Sequence, residues 1–431
     1  MAEEQRGVVR GELGPVRIGS IWLAANLVVT TLLTGTLFVP GVRLGEAIAW
    51  IAAGTVLGAA VLTLVAVLGV RTGLGTMALT RSSFGSHGSI VPSLSNLVIL
   101  MGWSWVQAML AGLSLNELLR LAAGFSNPVL CSVLCQAAVV GLAVFGHRGI
   151  ERVQPLLGLL VLGFMAAVFA IALRAHPPAE YLAMPADPRA GVSGSAVFDI
   201  VFATAISWTV LSADLTRTAR SVRAGAVGAA CGYTASTVIA MTLGATAAAY
   251  LVLQGAQPRP FDPTVLVAAF GPPAALVMFL SVMVTNTMVM YGMTVSLQHA
   301  LPGRPPLRFL PTALGLGAIA VAGSAWLPLL ERFTGFLSLI GALFIPVFAI
   351  MIADAYLLRR GGGTPAGEPE LRWNPAALGS WAIGAIVCAL LSFLWPSPAG
   401  AALPTFLIAG AVYLPWSAAT RTRAARGGDG P

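Results

Sequence analysis

The sequence predicts an all-α integral membrane protein with about twelve transmembrane helices. Of its 431 residues, 57% are hydrophobic and only 9% are charged. A soluble domain carries about 25% charged residues. Apolar runs of roughly 20 residues, the length that a helix needs to cross a bilayer, recur along the whole chain. Such runs must be helical, because backbone groups in hydrocarbon need internal hydrogen bonds.

The apolar runs define the spans in chain order. They are 18–39, 45–70, 89–120, 129–146, 154–175, 196–214, 224–254, 272–299, 309–328, 333–357, 375–396 and 402–420. The first run follows a polar start without a cleavage-site pattern, so we expect a permanent span and not a signal peptide.

Many secondary transporters consist of two inverted repeats of five helices, and the order of spans is compatible with this plan. The expected segments are an N-terminal segment (1–17), a first repeat (18–175), an extracytoplasmic loop (176–195), a second, inverted repeat (196–358), a cytoplasmic loop (359–374), two further helices (375–420) and a tail (421–431).

The positive charges predict the orientation of the chain. All 24 basic residues are arginines, and with the N-terminus inside most of them fall on cytoplasmic segments, as the positive-inside rule requires. We therefore expect a multi-pass protein of the inner (cytoplasmic) membrane with both termini in the cytoplasm. The net charge of +8 indicates no nucleic-acid partner, because the arginines flank membrane helices instead of forming one basic surface.

The chain contains no pattern typical of a catalytic site, a nucleotide-binding loop or a metal cluster. Cys131 and Cys135 have the spacing of two metal ligands on a helix, but no further Cys or His accompanies them, so we interpret them as packing residues. We expect neither an enzyme nor an ATP-driven pump by itself. The only small ion required would be a coupling Na⁺ or H⁺, with no other cofactor.

Spans one and six carry clusters that favour an interrupted helix. Residues 30–36 place four threonines around Gly35, and residues 207–214 combine hydroxyls with Trp208. Hydroxyl residues and glycine allow a membrane helix to break and its freed backbone groups to be satisfied locally. The alternative is back-bonding of Ser and Thr in continuous helices. The clusters occupy corresponding positions in the two halves, which favours the breaks.

Span three has a polar stripe that indicates a binding site. Asn96, Trp103, Gln107 and Ser114 share one helix face, whereas Trp105 points nearly opposite. An indole beside an amide at membrane depth is what a flat heteroaromatic solute needs. The alternative is a packing tryptophan and an interhelical hydrogen bond.

Span eight offers a candidate cation site. Ser281 and Thr285 are one turn apart, and hydroxyl oxygens together with carbonyls of a broken helix suit sodium. The alternative is that these hydroxyls bond their own backbone. Asn286 adds a polar group nearby.

Two carboxylates lie at cytoplasmic helix ends. Asp214, followed by Arg217, could relay protons or bind a cation, but the structural role of an ion pair or a helix cap is favoured. Asp354, near Arg359, is interpreted in the same way.

Several motifs together resemble those of the nucleobase:cation symporter-1 family, particularly its cytosine-permease branch, over nearly the whole chain. They are Gly69-Val70-Arg71-Thr72-Gly73-Leu74, Ser83-Phe84-Gly85-Ser86-His87-Gly88-Ser89, Pro92-Ser93-Leu94, Gly102-Trp103, Ser212-Ala213-Asp214 with Arg217, Thr285-Asn286 with Tyr291, and Ile352-Ala353-Asp354-Ala355-Tyr356-Leu357 with Arg359-Arg360.

The resemblance implies a LeuT-like fold of five plus five inverted helices and two more, and transport of nucleobases, hydantoins or related vitamin precursors with sodium or protons. It implies that Trp103 stacks on the substrate, Gln107 bonds its edge and Trp208 is a second aromatic. The full implied substrate site is Trp103, Gln107, Trp208, Ser207, Asn286, Thr34 and Gly35. The implied sodium ligands are Ser281 and Thr285, with the backbone carbonyls of Val29 and Leu32.

The sequence departs from the family pattern at two places. Val284 stands where a further hydroxyl is common, which weakens the case for sodium and leaves protons open. Met288, Val289 and Met290 replace polar residues of the cytosine type, and the pair Ser207-Trp208 resembles the branch associated with hydroxymethylpyrimidine.

The sequence therefore predicts a secondary importer of a small heteroaromatic nucleobase, cytosine or a related pyrimidine or purine, coupled to Na⁺ or H⁺ by alternating access. Its expected partners are the substrate, the coupling cation and the lipid bilayer, and we expect a monomer. The alternatives are a transporter of hydroxymethylpyrimidine, hydantoin or an allantoin-type substrate with the same fold, and a channel.

Overall fold

The structure, a computed structural model, describes residues 11–145, 147–256, 261–298, 307–359, 371–395 and 397–427, without the side chains of 147–157, 265 and 421–427. The central part of the expected loop 359–374, the end of the expected tail 421–431 and most of the expected segment 1–17 lie outside these residues.

The described chain is built from helices. In the first half these are α1 (Pro15–Asn26), α2 (Val29–Gly35), α3 (Leu44–Thr72), α4 (Thr76–Phe84), α5 (Ile90–Ala123), α6 (Pro128–Phe145), α7 (His147–Ala175) and α8 (Pro178–Ala183). In the second half they are α9 (Gly194–Thr209), α10 (Ser212–Thr216), α11 (Val222–Leu253), α12 (Pro263–Phe270), α13 (Pro272–Gln298), α14 (Phe309–Ser324), α15 (Phe333–Ile352), α16 (Pro375–Ala389) and α17 (Ala402–Gly427). Short 3₁₀ turns (Pro188–Ala190 and Leu327–Arg332) precede α9 and α15, and wide π-helical turns (Ala353–Leu358 and Leu390–Leu394) follow α15 and α16.

Prolines and glycines set many of the helix boundaries. Pro15, Pro263 and Pro375 occupy the first turns of their helices, where the missing N–H has no intrahelical partner to lose. Gly73 and Gly124 end α3 and α5 in the left-handed conformation, with φ of 72° and 69°.

Every predicted span coincides with a helix or a pair of helices. Within the described residues, nine helices are long and apolar enough to cross a membrane, and the bent pair α1–α2 makes a tenth. The two shorter apolar helices, α9 and α14, lie at the predicted spans six and nine. The membrane architecture is therefore confirmed, and the count is consistent with twelve.

The predicted break of span one is confirmed. α1 and α2 meet at 66° across residues 27 and 28. Asn26 holds the bend, because its Nδ2 donates to Ser236 Oγ at 3.0 Å and to Thr237 Oγ1 at 2.6 Å on α11. Its Oδ1 accepts from Thr31 Oγ1 on the other side of the break at 3.2 Å.

Span six is also interrupted, but within the described residues only the pair α1–α2 is bent by more than 40°. α9 ends at Thr209 and α10 begins at Ser212, and Leu211 between them leaves the helical region with φ of −109° and ψ of 1°. The predicted break of span six is therefore also confirmed. Span one packs on α11 and span six packs on α3, and α3 and α11 pack on each other.

The helices form two groups that meet at the interrupted spans. α1, α3, α9 and α11 pack against one another, and so do α5, α6, α13 and α14. α2 contacts α13 and α15 contacts both α5 and α9, so these two elements join the groups. α16 and α17 pack on each other and on α15.

Asp214 is a helix cap at one end of the bundle, which we call the basic end because Arg71, Arg217 and Arg359 lie there. Its Oδ2 accepts from the backbone N–H of Thr76 at 3.0 Å, at the start of α4. In return, Thr76 Oγ1 accepts from the N–H of Ala213 at 3.0 Å. This reciprocal pair supports the structural interpretation of Asp214.

Candidate functional site

Trp103 lies against a layer of phenylalanines. Its half-buried indole meets Phe333 and Phe336 of α15 edge to face, with ring centroids 5.8 Å and 5.5 Å away. Phe333 also stacks on Phe261, with centroids 3.6 Å apart and planes at 15°. Phe261 is only 1% exposed and adopts a left-handed φ of 59°, which is unusual for a residue with a bulky side chain.

A large cavity opens on the other side of this layer. It measures about 1310 Å³ and is lined by both Phe261 and Phe333. Its rim comes from the connections that follow spans five, seven, nine and eleven, with Val192, Ala256 and Leu327 among the lining residues. The cavity therefore lies at the end opposite the basic end, and the phenylalanine pair forms part of the wall between it and Trp103.

The polar stripe of span three is buried as predicted. Asn96, Gln107 and Ser114 are 3%, 3% and 1% exposed. Among the described residues, Gln107 Oε1 has no hydrogen-bond donor. Trp105 lies on the opposite side, where its Nε1 donates to the carbonyl of Ile319 on α14 at 3.3 Å. A buried acceptor without a donor costs about 1–3 kcal/mol, so the oxygen of Gln107 is suited to receive a donor from a ligand.

Asn286 is part of a network between three helices. Its Nδ2 donates to Gln136 Oε1 on α6 at 2.8 Å and to the backbone carbonyl of Ser104 on α5 at 3.1 Å. Its Oδ1 is buried and meets no donor within the described residues. The amide nitrogen thus serves helix packing, and the carbonyl oxygen is the atom that remains for a substrate.

Trp208 belongs to a different aromatic group from Trp103. It meets Trp22 of α1 edge to face at 6.5 Å, and Trp22 in turn meets Tyr233 of α11 at 6.0 Å. The neighbouring Ser207 donates its hydroxyl to the carbonyl of Thr204, within its own helix, at 2.8 Å. The two tryptophans expected to contact the substrate, Trp103 and Trp208, thus have different ring partners in this structure.

The hydroxyls of the candidate cation site lie on α13, a helix that contacts α2. Ser281 is 5% exposed, and Thr285, one turn further along α13, is half-buried. Thr285 Oγ1 donates to the carbonyl of Ser281 at 2.7 Å, as the backbone-bonding alternative anticipated. That bond uses the hydrogen of Thr285 and leaves its oxygen lone pairs available to a cation.

The backbone carbonyls expected for this site, those of Val29 and Leu32, stay a prediction. Both residues are buried in the short helix α2, directly after the break. Because α2 has only seven residues, Leu32 is among its last four, whose carbonyls have no partner within the helix. In the last turn of α1, the carbonyls of Leu23 and Asn26 accept from the N–H groups of Leu27 and Val28, each at 2.9 Å. Leu32 O faces α11 so closely that a side chain at Gly244 would overlap it.

Thr34 and Gly35 both have packing contacts in this structure. Thr34 is 2% exposed and donates its hydroxyl to the carbonyl of Thr30 at 2.9 Å. A Cβ on Gly35 would overlap the backbone of Met241 on α11. This face of α2 is filled by α11, and the assignment of Thr34 and Gly35 to the substrate site stays a prediction.

Three residues of the site were missed from the sequence. Asn26 fixes the break of span one, and Gln136 bonds Asn286. Phe261 stacks on Phe333, which in turn packs against Trp103. Asn26 and Gln136 are isolated amides within apolar spans, a signal that could have marked them. Phe261 carries no such signal.

Comparison with known proteins shows which family the chain belongs to. A family model described as permease for cytosine/purines, uracil, thiamine, allantoin matches residues 13–412. The "Putative purine-cytosine permease YxlA" of Bacillus subtilis (strain 168) is 31% identical over 156 residues, which are 36% of this chain and 32% of that protein. The "Hydantoin permease" of Microbacterium maritypicum is 27% identical over 134 residues, 31% of this chain and 27% of that protein. The chain thus aligns with about a third or less of the length of these relatives.

Solved structures share the fold over almost the whole chain. An inward-facing conformation of Mhp1 has a TM-score of 0.79 at 21% identity and covers 96% of this chain and 92% of its own. Mhp1 in a closed conformation with bromovinylhydantoin bound has a TM-score of 0.70 at 20% identity, with coverage of 95% and 92%. A Na⁺-coupled sialic acid symporter reaches 0.66 at 14% identity, covering 94% and 89%. The predicted LeuT-like fold is confirmed, and the matched proteins are permeases and symporters, not enzymes.

Proposed function

Because the chain belongs to the family of permeases for cytosine/purines, uracil, thiamine and allantoin, we propose that it is a secondary importer of a small heteroaromatic nucleobase such as cytosine. The main support is the side chain of Gln107, a buried amide whose oxygen meets no donor among the described residues. It lies one turn from the half-buried indole of Trp103. An aromatic face and an adjacent acceptor are the two groups that a flat ring with N–H donors requires.

Transport proceeds by alternating access in this proposal. The two helix groups meet only through a few elements, so one can move against the other while the site between them stays in place. The cavity of about 1310 Å³ forms one entrance, and the stack of Phe261 on Phe333 separates it from Trp103. Opening of this stack admits the substrate, and Trp208 and Ser207 approach Trp103 only when the groups close around the ring.

The coupling ion is Na⁺ or H⁺, and the candidate ligands favour testing sodium first. Ser281 and Thr285 supply hydroxyl oxygens beside α2, and α2 supplies the backbone carbonyls of Val29 and Leu32. Oxygen ligands suit a hard cation such as sodium. In this proposal the protein is a monomer of the inner membrane with both termini in the cytoplasm, and the arginine distribution supports this orientation.

Thermal stabilisation of the purified protein by a panel of ligands tests the proposed function. The panel contains cytosine, uracil, adenine, hydroxymethylpyrimidine, hydantoin and allantoin, each with and without sodium. We expect a nucleobase to raise the denaturation midpoint, because a ligand that binds only the folded state stabilises it by mass action. Stabilisation by hydantoin or hydroxymethylpyrimidine alone would favour the alternative substrate. Uptake that does not saturate would favour a channel.

Thr285→Ala is expected to raise the sodium concentration needed for half-maximal substrate binding by roughly tenfold or more. The reason is that the sodium ion loses one of its oxygen ligands. Thr287→Ala is the matched control, since Thr287 bonds its own backbone in the same way at 2.8 Å but lies on another face of α13. If the two variants need the same sodium concentration for half-maximal substrate binding, Thr285 is not a ligand of the coupling ion. A wild type without sodium dependence would indicate protons.

A further inference from the structure

Asp199 is a carboxylate within span six that the proposed transport cycle does not use. It lies in the second turn of α9, in the half of the span opposite the basic end. Within the described residues it forms no ion pair. An ionisable side chain inside a membrane span is costly and usually serves a function. The contacts of Asp199 indicate what that function is.

The carboxylate of Asp199 holds the start of the last membrane helix. Its Oδ2 accepts from the backbone N–H of Ala401 at 2.6 Å, and its Oδ1 accepts from the N–H of Ala402 at 3.0 Å. Ala402 begins α17, and the first N–H groups of a helix have no partner within it. Gly400 turns the chain with φ of 74°, and a Cβ there would lie 2.5 Å from Asp199 Oδ1. The approach of the carboxylate to this turn therefore requires a glycine.

These two hydrogen bonds, which we call the Asp199 tie, join two parts of the bundle. Asp199 belongs to α9, a member of the group α1, α3, α9 and α11, whereas α17 belongs to the outer pair α16 and α17. α15 packs on α9 and on both outer helices. Alternating access requires the first group to move against its surroundings. The Asp199 tie opposes such a movement of span six.

Water in the large cavity has access to the Asp199 tie. The cavity of about 1310 Å³ is lined by Asp199 itself and by its neighbours Gly400 and Ala401. The side chain can therefore exchange a proton with this water, although it lies within a membrane helix.

Several titratable or charged groups surround Asp199. Cys388 of α16 borders a small cavity with it, and Glu46 of α3 faces Gly194 at the start of α9. The facing turns of α15 and α17 carry no such group. The described lining of the large cavity adds Asp187, Arg189, Asp262 and Glu331. Carboxylates outnumber the arginine in this wall, and a cleft lined by negative charge raises the local concentration of cations, hydronium included.

We infer that Asp199 is a proton-binding site that controls the tie between span six and the last membrane helix. The charged carboxylate accepts both N–H bonds and holds α17 in place. A proton from the water of the cavity adds to one carboxylate oxygen and removes the charge from both bonds. Because hydrogen bonds to an ionised acceptor are about twice as strong as neutral ones, the tie weakens. It is intact at high pH and is lost as the pH falls and Asp199 is protonated, which frees span six to move.

Hydrogen exchange at the backbone amides of Ala401 and Ala402 tests the Asp199 tie directly. Mass spectrometry of the purified full-length protein without substrate follows peptides that cover these residues between about pH 8 and pH 5. Each rate is corrected for the intrinsic exchange of a free amide at that pH. We expect protection to fall at least about tenfold at the acid end, the effect of one charge-assisted hydrogen bond.

Asn374 provides the matched control within the same molecule. Its side chain accepts from the N–H groups of Ala376 and Ala377 at 3.2 Å and 3.3 Å at the start of α16, but an amide does not titrate in this range. Protection at these two residues should therefore not change with pH. An equal fall at both helix starts would indicate general unfolding and would overturn the inference.

Asp199→Asn imitates the protonated state, because its oxygen still accepts while the charge is lost. We expect low protection of Ala401 and Ala402 at every pH. Asp187→Asn changes another carboxylate of the same cavity, one that caps Arg189, and should keep the wild-type titration. Full protection in Asp199→Asn at pH 8, or equal protection of the wild type at both ends of the range, would overturn the inference.

The wild-type titration needs no variant, so it decides the question even if Asp199→Asn does not fold. The inference goes beyond the proposed function and does not depend on it. Since no substrate is added, loss of the Asp199 tie as an explanation would leave the proposed function unaffected.

Discussion

Replacement of Trp103 by alanine is expected to weaken substrate binding by roughly 10- to 100-fold, the value of one base–aromatic stack removed. At substrate concentrations near the wild-type dissociation constant, binding would no longer be measurable. The reason is geometric, since Trp103 is the half-buried aromatic one turn from the unpartnered oxygen of Gln107. Ligand-induced thermal stabilisation and equilibrium binding of cytosine measure the effect directly.

Trp105→Ala is the matched control for this experiment. It removes the same side chain from the same helix, but Trp105 faces α14, where its Nε1 bonds the carbonyl of Ile319. Trp103→Phe should recover part of the binding, because a phenyl ring still stacks. If Trp103→Ala expresses normally and binds cytosine with wild-type affinity, the stacking role is wrong and Trp103 only packs on Phe333 and Phe336.

The interruptions of spans one and six could be predicted because their cause is local. Threonines, serines and glycine in a short stretch weaken a membrane helix wherever it packs. The exact residues of the break were not predictable from that stretch. They depend on Asn26, whose partners Ser236 and Thr237 lie on another helix. This long-range bond places the break upstream of Val29, and not within the threonine cluster itself.

Only the part of the candidate substrate site that lies on a single helix face could be predicted from the sequence. The stripe with Trp103 and Gln107 follows from helical spacing alone. Asn286 was named for its proximity in sequence to Thr285, but the direction of its amide depends on Gln136 and Ser104 on two other helices. Helix-to-helix contacts of this kind leave no periodic pattern in a single sequence.

Asp354→Ala is expected to destabilise the protein by about 3–5 kcal/mol, the cost of removing one partner of a buried ion pair. Asp354 is 1% exposed, and its Oδ2 lies 2.9 Å from Arg359 Nε. The same carboxylate accepts from Ser83 Oγ at 3.1 Å and from Tyr413 OH at 2.9 Å. Without this carboxylate, the guanidinium of Arg359 loses its counter-charge and the hydroxyls of Ser83 and Tyr413 lose their acceptor. The thermal midpoint and the yield of folded protein should therefore both fall.

The position of Asp354 explains why the effect should exceed that of an ordinary helix cap. Ser83 belongs to α4 and Tyr413 to α17, so one carboxylate ties the end of α15 to two elements far apart in the chain. Asp187→Ala is the matched control, an exposed aspartate that only caps the turn at Arg189. Asp354→Asn should lie between the two, because the amide oxygen still accepts from a hydroxyl while the charge is lost. Equal midpoints for Asp354→Ala and Asp187→Ala would show that the basic end is held by its apolar packing and not by this ion pair.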